Sequence, residues 1–429
     1  MLILFSILII SLMTVKDAIA QEYSLNDLYR IALERAERIR ISEEDLYISE
    51  TQRDKAMAAL LPRLTAFSGY TRYSNDKYSS TGISSIVVQP VDALSWGLRL
   101  DQSISIGRRE VTALRISKEG TEKSRHDLRA IKETYILSVA NAYYEVLRAM
   151  KAVEIARANL QRLTKHRDAA SIRLKVGEVT KTDLLRAEAE LSGAQADLVR
   201  SENSLRLARA VLARIVGLDG DFGIKTEEKG EEIEITDLVR LKEIAFSERP
   251  ELRSADHQKK ISEEQIRYAK GAFWPTVSIE GVYLRREEDP ESAFLIKETL
   301  YGGLRLNLPI FEGGLRRAEV REAEARYRQA TLLYEDIKKT ISIEVEEAFL
   351  DLQTQKGVLK SLEDQLRFAR DNFNSISRQY EFGLANSIDV IDANTLLLTS
   401  ERQLMNARYN YELSEVRLKK AAGLLLKCD

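Results

Sequence analysis

Two periods of apolar and polar residues alternate along the chain. In LSWGLRLDQSISI (residues 94–106), Leu94, Trp96, Leu98, Leu100, Ile104 and Ile106 face one way. Ser95, Gly97, Arg99, Asp101, Ser103 and Ser105 face the other. Strict period 2 predicts a strand with one apolar face. LYGGLRLNLPI (300–310) alternates likewise, with Leu304, Leu306, Leu308 and Ile310 against Arg305 and Asn307. Beyond Leu184 the period lengthens. Small or apolar residues fall at Ala187, Leu191, Ala194, Leu198, Leu205, Ala208, Leu212 and Ile215, interrupted only by Ser201. Val390, Ala393, Leu397, Ser400, Leu404, Ala407, Tyr411, Ser414, Leu418 and Ala421 repeat the spacing. A period of about 3.5 held over five heptads predicts coiled-coil packing, with large and small residues alternating on the seam.

Proline placement sets how long these helices can be. The six prolines are Pro62, Pro90, Pro250, Pro275, Pro290 and Pro309, so 91–249 and 310–429 are free of a residue that breaks helix interiors. Long helices are predicted over 109–176, 181–217, 313–382 and 387–422, and strands over about 62–75, 94–106, 274–286 and 300–310. A helix over 109–176, continuous or as two stacked end to end, would extend about 100 Å.

The chain also says everything twice. Gly107, Gly177 and Gly217 pair with Gly313, Gly383 and Gly423 at an offset of 206, as do Asp183 with Asp389 and Ala187 with Ala393. LLPRLTAFSGY (60–70) matches FWPTVSIEGVY (273–283) at an offset of 213. The difference falls in SNDKYSSTGISSIVV, which is expected to be a surface loop. A repeat this long implies a duplicated domain with pseudo-symmetry, not a solenoid. The first repeat spans 21–218 and the second 238–424, with a short tail at 425–429. The joining segment DGDFGIKTEEKGEEIEITD (219–237) has three glycines and eight acids and is expected to be a solvated linker.

Composition narrows the function. A net charge of −2 lacks the basic excess of a nucleic-acid binder. Charged residues at 31% against 7% aromatic suit long solvated helices better than one large core. The single cysteine, Cys428, rules out a disulfide framework. His126, His166 and His257 are scattered, and each reads as a helix-surface residue and not a metal ligand. No nucleophile–base pair, phosphate loop or metal cluster appears, so neither an enzyme nor a cofactor is expected.

MLILFSILIISLMTV is too short for a spanning helix and is followed by Ala18-Ile19-Ala20, so residues 1–20 read as a secretory signal. No lysine or arginine precedes the apolar run, which leaves a weak anchor as the alternative. The lack of a cysteine near the cleavage point excludes a lipidated N-terminus. The strands are long enough to cross a membrane, with Tyr70, Tyr73, Trp96, Trp274 and Tyr283 available for aromatic girdles. Four strands cannot close a barrel, and an open sheet in lipid leaves backbone groups unsatisfied. Membrane strands would therefore require oligomerisation, and three copies supply twelve. The competing reading is a secreted coiled-coil scaffold that crosses no membrane.

LNLPIFEGGLRRAEV (306–320), FGLANSIDVIDA (382–393) and NARYNYELSEVRLKKAAG (406–423) resemble the TolC-like outer-membrane efflux proteins. SVANAYYEVL (138–147), KVGEVTKTDLLRAEAEL and VLARIVGL follow the same family in order. The resemblance covers nearly all of the chain beyond the leader. It implies a fold that is mainly α with a small β part, as a homotrimer with a twelve-stranded barrel on a periplasmic tunnel of twelve helices. It further implies an outer-membrane exit duct working with a periplasmic adaptor and an inner-membrane transporter of RND, ABC or MFS type. Gly177 and Gly383 match the family's tip turns, where the adaptor docks. Asp389 and Asp392 match its constriction aspartates, Thr182 and Asp183 the adjoining gate pair, and Tyr380 the gate tyrosine. The family's gate arginine falls at Ala385, and Arg186 is a candidate substitute partner. The joining segment would contribute to a belt around the tunnel's waist.

Residues i and i+3 share a helix face, so under threefold symmetry Asp389 and Asp392 would form two carboxylate rings that favour cations. Local readings compete with these roles. Acids suit a helix's first turn, with Asn386 or Ser387 as N-cap, and Thr180-x-x-Asp183 reads equally as a capping box.

Overall fold

The computed structural model describes residues 22–80, 82, 85–218, 222–225 and 237–426. The leader and most of the acidic joining segment lie outside the described residues, as do 427–429. In chain order the elements are β1 (Glu22–Tyr23), α1 (Leu25–Arg35), α2 (Glu37–Ala58), β2 (Arg63–Arg72), β3 (Lys77–Ser80), β4 (Ser85–Gln89) and β5 (Asp92–Ser105). There follow α3 (Arg109–Lys175), α4 (Lys181–Val216), β6 (Gly223–Ile224), α5 (Leu238–Glu248) and α6 (Pro250–Gly271). The chain continues through β7 (Thr276–Asp289), β8 (Glu298–Asn307), α7 (Leu315–Glu381) and α8 (Ser387–Ala421). The protein is mainly helical with a small sheet part. Both α3 and α7 are single unbroken helices of 67 residues, each about 100 Å of rise.

The chain divides into two units. One comprises residues 41–130 and 246–342 and holds a four-stranded antiparallel sheet in the order β2-β5-β7-β8. Its register stacks like on like. Leu64 pairs with Leu100, Ala66 with Leu98 and Tyr70 with Leu94. Across the middle Leu98 pairs with Tyr283 and Ile104 with Val277, and beyond them Ile279 pairs with Leu304 and Tyr283 with Leu300. Because side chains alternate faces, this one register gathers these residues onto a single, largely apolar face. Arg99, Asp101, Glu280, Arg305 and Asn307 fall on the other.

In this unit the stretch expected to be a surface loop is in part a hairpin, with β3 and β4 pairing antiparallel. Alternation in Lys77-Tyr78-Ser79 and Ser85-Ile86-Val87 was enough to form a short ladder. His126 and His257 lie half-buried on their helices, α3 and α6. Their rings stack at 5.3 Å, and His257 Nδ1 lies 2.7 Å from a Glu119 carboxylate oxygen.

The other unit comprises residues 1–40, 131–245 and 343–429. Its core joins Leu28 and Ala32 of α1, Val139, Tyr143 and Val146 of α3, Leu212 and Val216 of α4, and Leu413 and Val416 of α8. Leu28 and Leu212 are fully buried, each contributing about 1.5–3 kcal/mol. Two tyrosines bury their rings and keep their hydroxyls satisfied: Tyr135 donates to the Ile215 carbonyl at 2.6 Å and Tyr143 to that of Lys225 at 2.7 Å. In the described part of the joining segment Lys225 and Asp237 are exposed, while a short stretch before them is packed. Phe222 and Ile224 are buried, and β6 pairs in parallel with β1.

Candidate functional site

Two helix reversals carry the candidate residues, one from α3 into α4 and one from α7 into α8. Gly177 at φ 80° and Gly383 at φ 74° sit in the left-handed region, where a side chain is strained, and an added Cβ would meet nothing within 4 Å. Glycine is therefore required here by backbone conformation, not by crowding. After each glycine the next helix starts on a capping box. Thr180 Oγ1 accepts from the Asp183 amide at 3.3 Å, while the Asp183 carboxylate accepts from the Thr180 amide at 2.9 Å. Asn386 Oδ1 accepts from the Ile388 and Asp389 amides at 2.8 and 3.0 Å. The Asp389 carboxylate accepts from the Asn386 amide at 2.9 Å. Asn386, not Ser387, is the N-cap.

The acids thus have a local role whatever else they do. Hydrogen bonds from Thr180, with the Arg186 cation nearby, hold the Asp183 carboxyl below its ordinary value. Asp389 is half-buried in its cap, whereas Asp392, one turn on, is exposed. Thr182 and Arg186 are also exposed, and Arg186 makes no ion pair among the described residues. Tyr380 is buried at 4% exposure, and its hydroxyl has no partner in hydrogen-bonding geometry. Burial pushes that hydroxyl above its ordinary value, opposed by the Arg173 cation and aided by the Asp183 charge. The structure therefore brings Tyr380, Asp183 and Arg186 within electrostatic reach inside one protomer.

Around Tyr380 runs a stripe that period reading alone passes over. On α3, Val146, Ala149, Val153, Ala156, Asn159, Leu163, His166 and Ala170 are all buried, in steps of 3 and 4, and Arg173 continues the series. Its polar members and the neighbouring Arg162 bind α7 and α8. Asn159 Oδ1 accepts from Asn394 Nδ2 at 2.9 Å, and Arg162 donates to Asn394 at 3.0 Å and to Glu401 at 3.0 Å. His166 Nε2 lies 3.0 Å from the Ser387 hydroxyl and its ring 5.1 Å from that of Tyr380. Burial lowers the His166 pKa below its ordinary value. His166, expected on the surface, is 7% exposed because α8 begins directly against it. Polar groups on such a seam add little stability but specify register, since any slip leaves them unpaired. They were legible as polar residues at heptad positions of α3, a helix whose seam the period analysis did not trace.

The sheet forms a second candidate surface. Leu64, Trp96, Leu98, Leu100, Leu300, Leu304 and Leu306 all lie on its apolar face and are exposed, Leu300 at 80% and Leu304 at 75%. So large an apolar surface on a single protomer marks a lipid or partner contact. Among the described residues no helix is long and apolar enough to cross a membrane, and no group of three residues is placed to hold a metal.

A family profile described as "Outer membrane efflux protein" matches residues 28–218 and 241–424. The chain belongs to that family. It is 25% identical over 432 residues to outer membrane protein TolC of Escherichia coli, covering 96% of this chain and 85% of that one. It is 23% identical over 428 residues to the alkaline protease secretion protein AprF of Pseudomonas aeruginosa, covering 96% and 87%. The fold matches the crystal structure of the outer membrane protein VceC of Vibrio cholerae with a TM-score of 0.80 at 20% identity, over 93% and 96% of the two chains.

As an outer membrane efflux protein, the chain belongs among channel proteins of the outer membrane, with a large helical part on the periplasmic side. An exposed apolar sheet face is what that location requires. Ala385 is half-buried and carries no charge; the cation beside Tyr380 is Arg173 of α3.

Proposed function

We propose that this outer membrane efflux protein is a passive exit duct of a tripartite efflux or type I secretion system. In this reading two pseudo-symmetric repeats build each protomer, and three protomers build the duct. The observation that carries it is the open sheet. Among the described residues β2 and β8 are edge strands, each with one pairing partner. Unpaired ladder groups in lipid cost several kcal/mol each, so both edges must find partners. Pairing β8 of one copy with β2 of the next, three times, closes twelve strands and turns the apolar face to lipid. Twelve helices then line a periplasmic tunnel.

The gate in this reading is the ring of α8 N-termini. Asp389 and Asp392 give two rings of three carboxylates, with Thr182, Asp183 and Tyr380 completing the constriction beside them and Arg186 near Asp183. The turns at Gly177 and Gly383 dock a periplasmic adaptor, and an inner-membrane transporter of RND, ABC or MFS type supplies the energy. The duct itself performs no chemistry and needs no cofactor. A secreted scaffold has no use for the exposed Leu300, Leu304 and Leu306, which is why the duct is preferred.

The experiment is single-channel recording of the detergent-purified protein in a planar bilayer, with its oligomeric mass from the same sample. A trimer should give small cation-selective openings. Replacing Asp389 and Asp392 together by alanine should raise conductance and weaken block by divalent cations. A monomer that never conducts would sink the duct, and unchanged block in the double variant would sink the aspartate gate.

A further inference from the structure

The end of α7 is held from outside itself. A helix leaves its last carbonyls without intrahelical donors. At this end the Phe382, Gly383 and Leu384 amides take those of Arg378, Tyr380 and Gln379, at 3.2, 3.1 and 2.8 Å. The carbonyl of Glu381, the last helical residue, is taken by a side chain from α3: Arg173 Nη2 donates to it at 2.8 Å. The same guanidinium lies over the Tyr380 ring, 4.4 Å from its centroid, and its Nε lies 3.8 Å from the Glu178 carboxylate. One cation therefore joins the end of α3, the turn that follows it, and the end of α7. A cation at a helix C-terminus is favoured by the dipole, and a planar guanidinium can stack on a ring while donating in its plane.

The device runs in one direction only. At the 206-residue offset Arg173 corresponds to Gln379, Tyr380 to Leu174 and Glu381 to Lys175, so the reciprocal position has neither the cation nor the ring. We propose that Arg173 is a positioning residue of the gate, holding the α7–α8 turn closed within each protomer through the face of the Tyr380 ring and the Glu381 carbonyl. This rests on the duct reading and replaces the charge absent at Ala385. The gate tyrosine then acts through its ring, and its hydroxyl is dispensable.

The test compares Arg173→Ala, Arg173→Lys, Tyr380→Ala and Tyr380→Phe in the full-length protein, by bilayer conductance and by the rate of tryptic cleavage after Arg378. Arg173→Ala and Tyr380→Ala should raise conductance severalfold and speed cleavage at the end of α7. Tyr380→Phe should match wild type in both, and Arg173→Lys, which keeps the charge but not the stacking plane, should fall between. Wild-type conductance and cleavage in Arg173→Ala would overturn the proposal. So would Tyr380→Phe opening as far as Tyr380→Ala. Should wild type itself never conduct, the duct reading fails, and the cleavage rates alone still decide the clamp.

Discussion

The two helix reversals share one local design and differ in what surrounds them. Both place glycine in the left-handed region, and both begin the next helix on a capping box. Even the turn hydrogen bonds correspond: Gly177 to Leu174 and Glu178 to Arg173 in one, Gly383 to Tyr380 and Leu384 to Gln379 in the other. The first turns of the helices that follow have opposite fates. In α8, Ser387, Val390, Ile391, Ala393 and Asn394 are buried. In α4, Lys181, Thr182, Leu185 and Arg186 are exposed, and Ala187 is the first buried residue. Identical backbone grammar therefore yields an anchored turn and a free one. The anchor is the polar end of the α3 stripe, which meets α8 at Ser387 and α7 at Tyr380.

The largest test of that difference is a matched pair of truncations at the 206-residue offset, Ile391→Ala and Leu185→Ala. Ile391 is 8% exposed and Leu185 54%. The first should destabilise the start of α8 by about 2–5 kcal/mol, and the second should stay within about 0.5 kcal/mol. Hydrogen exchange resolved to the first turns of α4 and α8 reads both. Comparable losses of protection would erase the distinction between anchored and free.

The caps should act alike in both turns, because both boxes are complete. Thr180→Ala and Asn386→Ala should each cost about 1 kcal/mol in the helix they start. Exchange of the same two segments measures this, and a loss confined to α8 would mean that Thr180 is idle.

Acid should separate the turns again, with an effect that vanishes at neutral pH. Because burial depresses the His166 pKa, the unfolded chain takes up its proton first as pH falls. The histidine's contribution is complete above its unfolded value of about 6.5 and is lost progressively below it, towards the depressed folded value. Nothing facing the ring favours its charge. Tyr380 of α7 and Ser387 at the positive end of α8 are neutral, and on α3 itself Arg162, one turn before the histidine, and Arg173, further along its stripe, are cationic. Protection of the α8 start should therefore fall on acidification while that of α4 does not, and His166→Gln should abolish the pH dependence. A pH response that survives in His166→Gln would remove the histidine from the anchor.

Much of this could be read along the chain. Proline-free runs marked where helices could be long, and α3 and α7 are unbroken. The alternation in 94–106 and 300–310 named residues of the apolar face from Leu94 to Ile104 and from Leu304 to Leu306, because period 2 is a property of the strand itself, while Ile106, Leu308 and Ile310 fall beyond the strand ends. The capping residues Thr180 and Asp183 were legible because a capping box closes within one turn. His166 is buried although its sequence context is that of a surface residue, and Arg173 carries no distinguishing sequence signal, for one reason. Each looks like an ordinary polar residue on a charged helix, and only its partner, more than 200 positions away, decides whether it faces water.

Local order was thus determined by the sequence: where the helices run, where glycine must turn the chain, which strand positions are apolar, and that the two halves use the same turns. Tertiary structure decided which of those equal turns is held. Backbone conformation and capping depend on neighbours within a few residues, which each repeat supplies for itself. Burial depends on which face another helix covers, and α3 covers the start of α8 but not the start of α4.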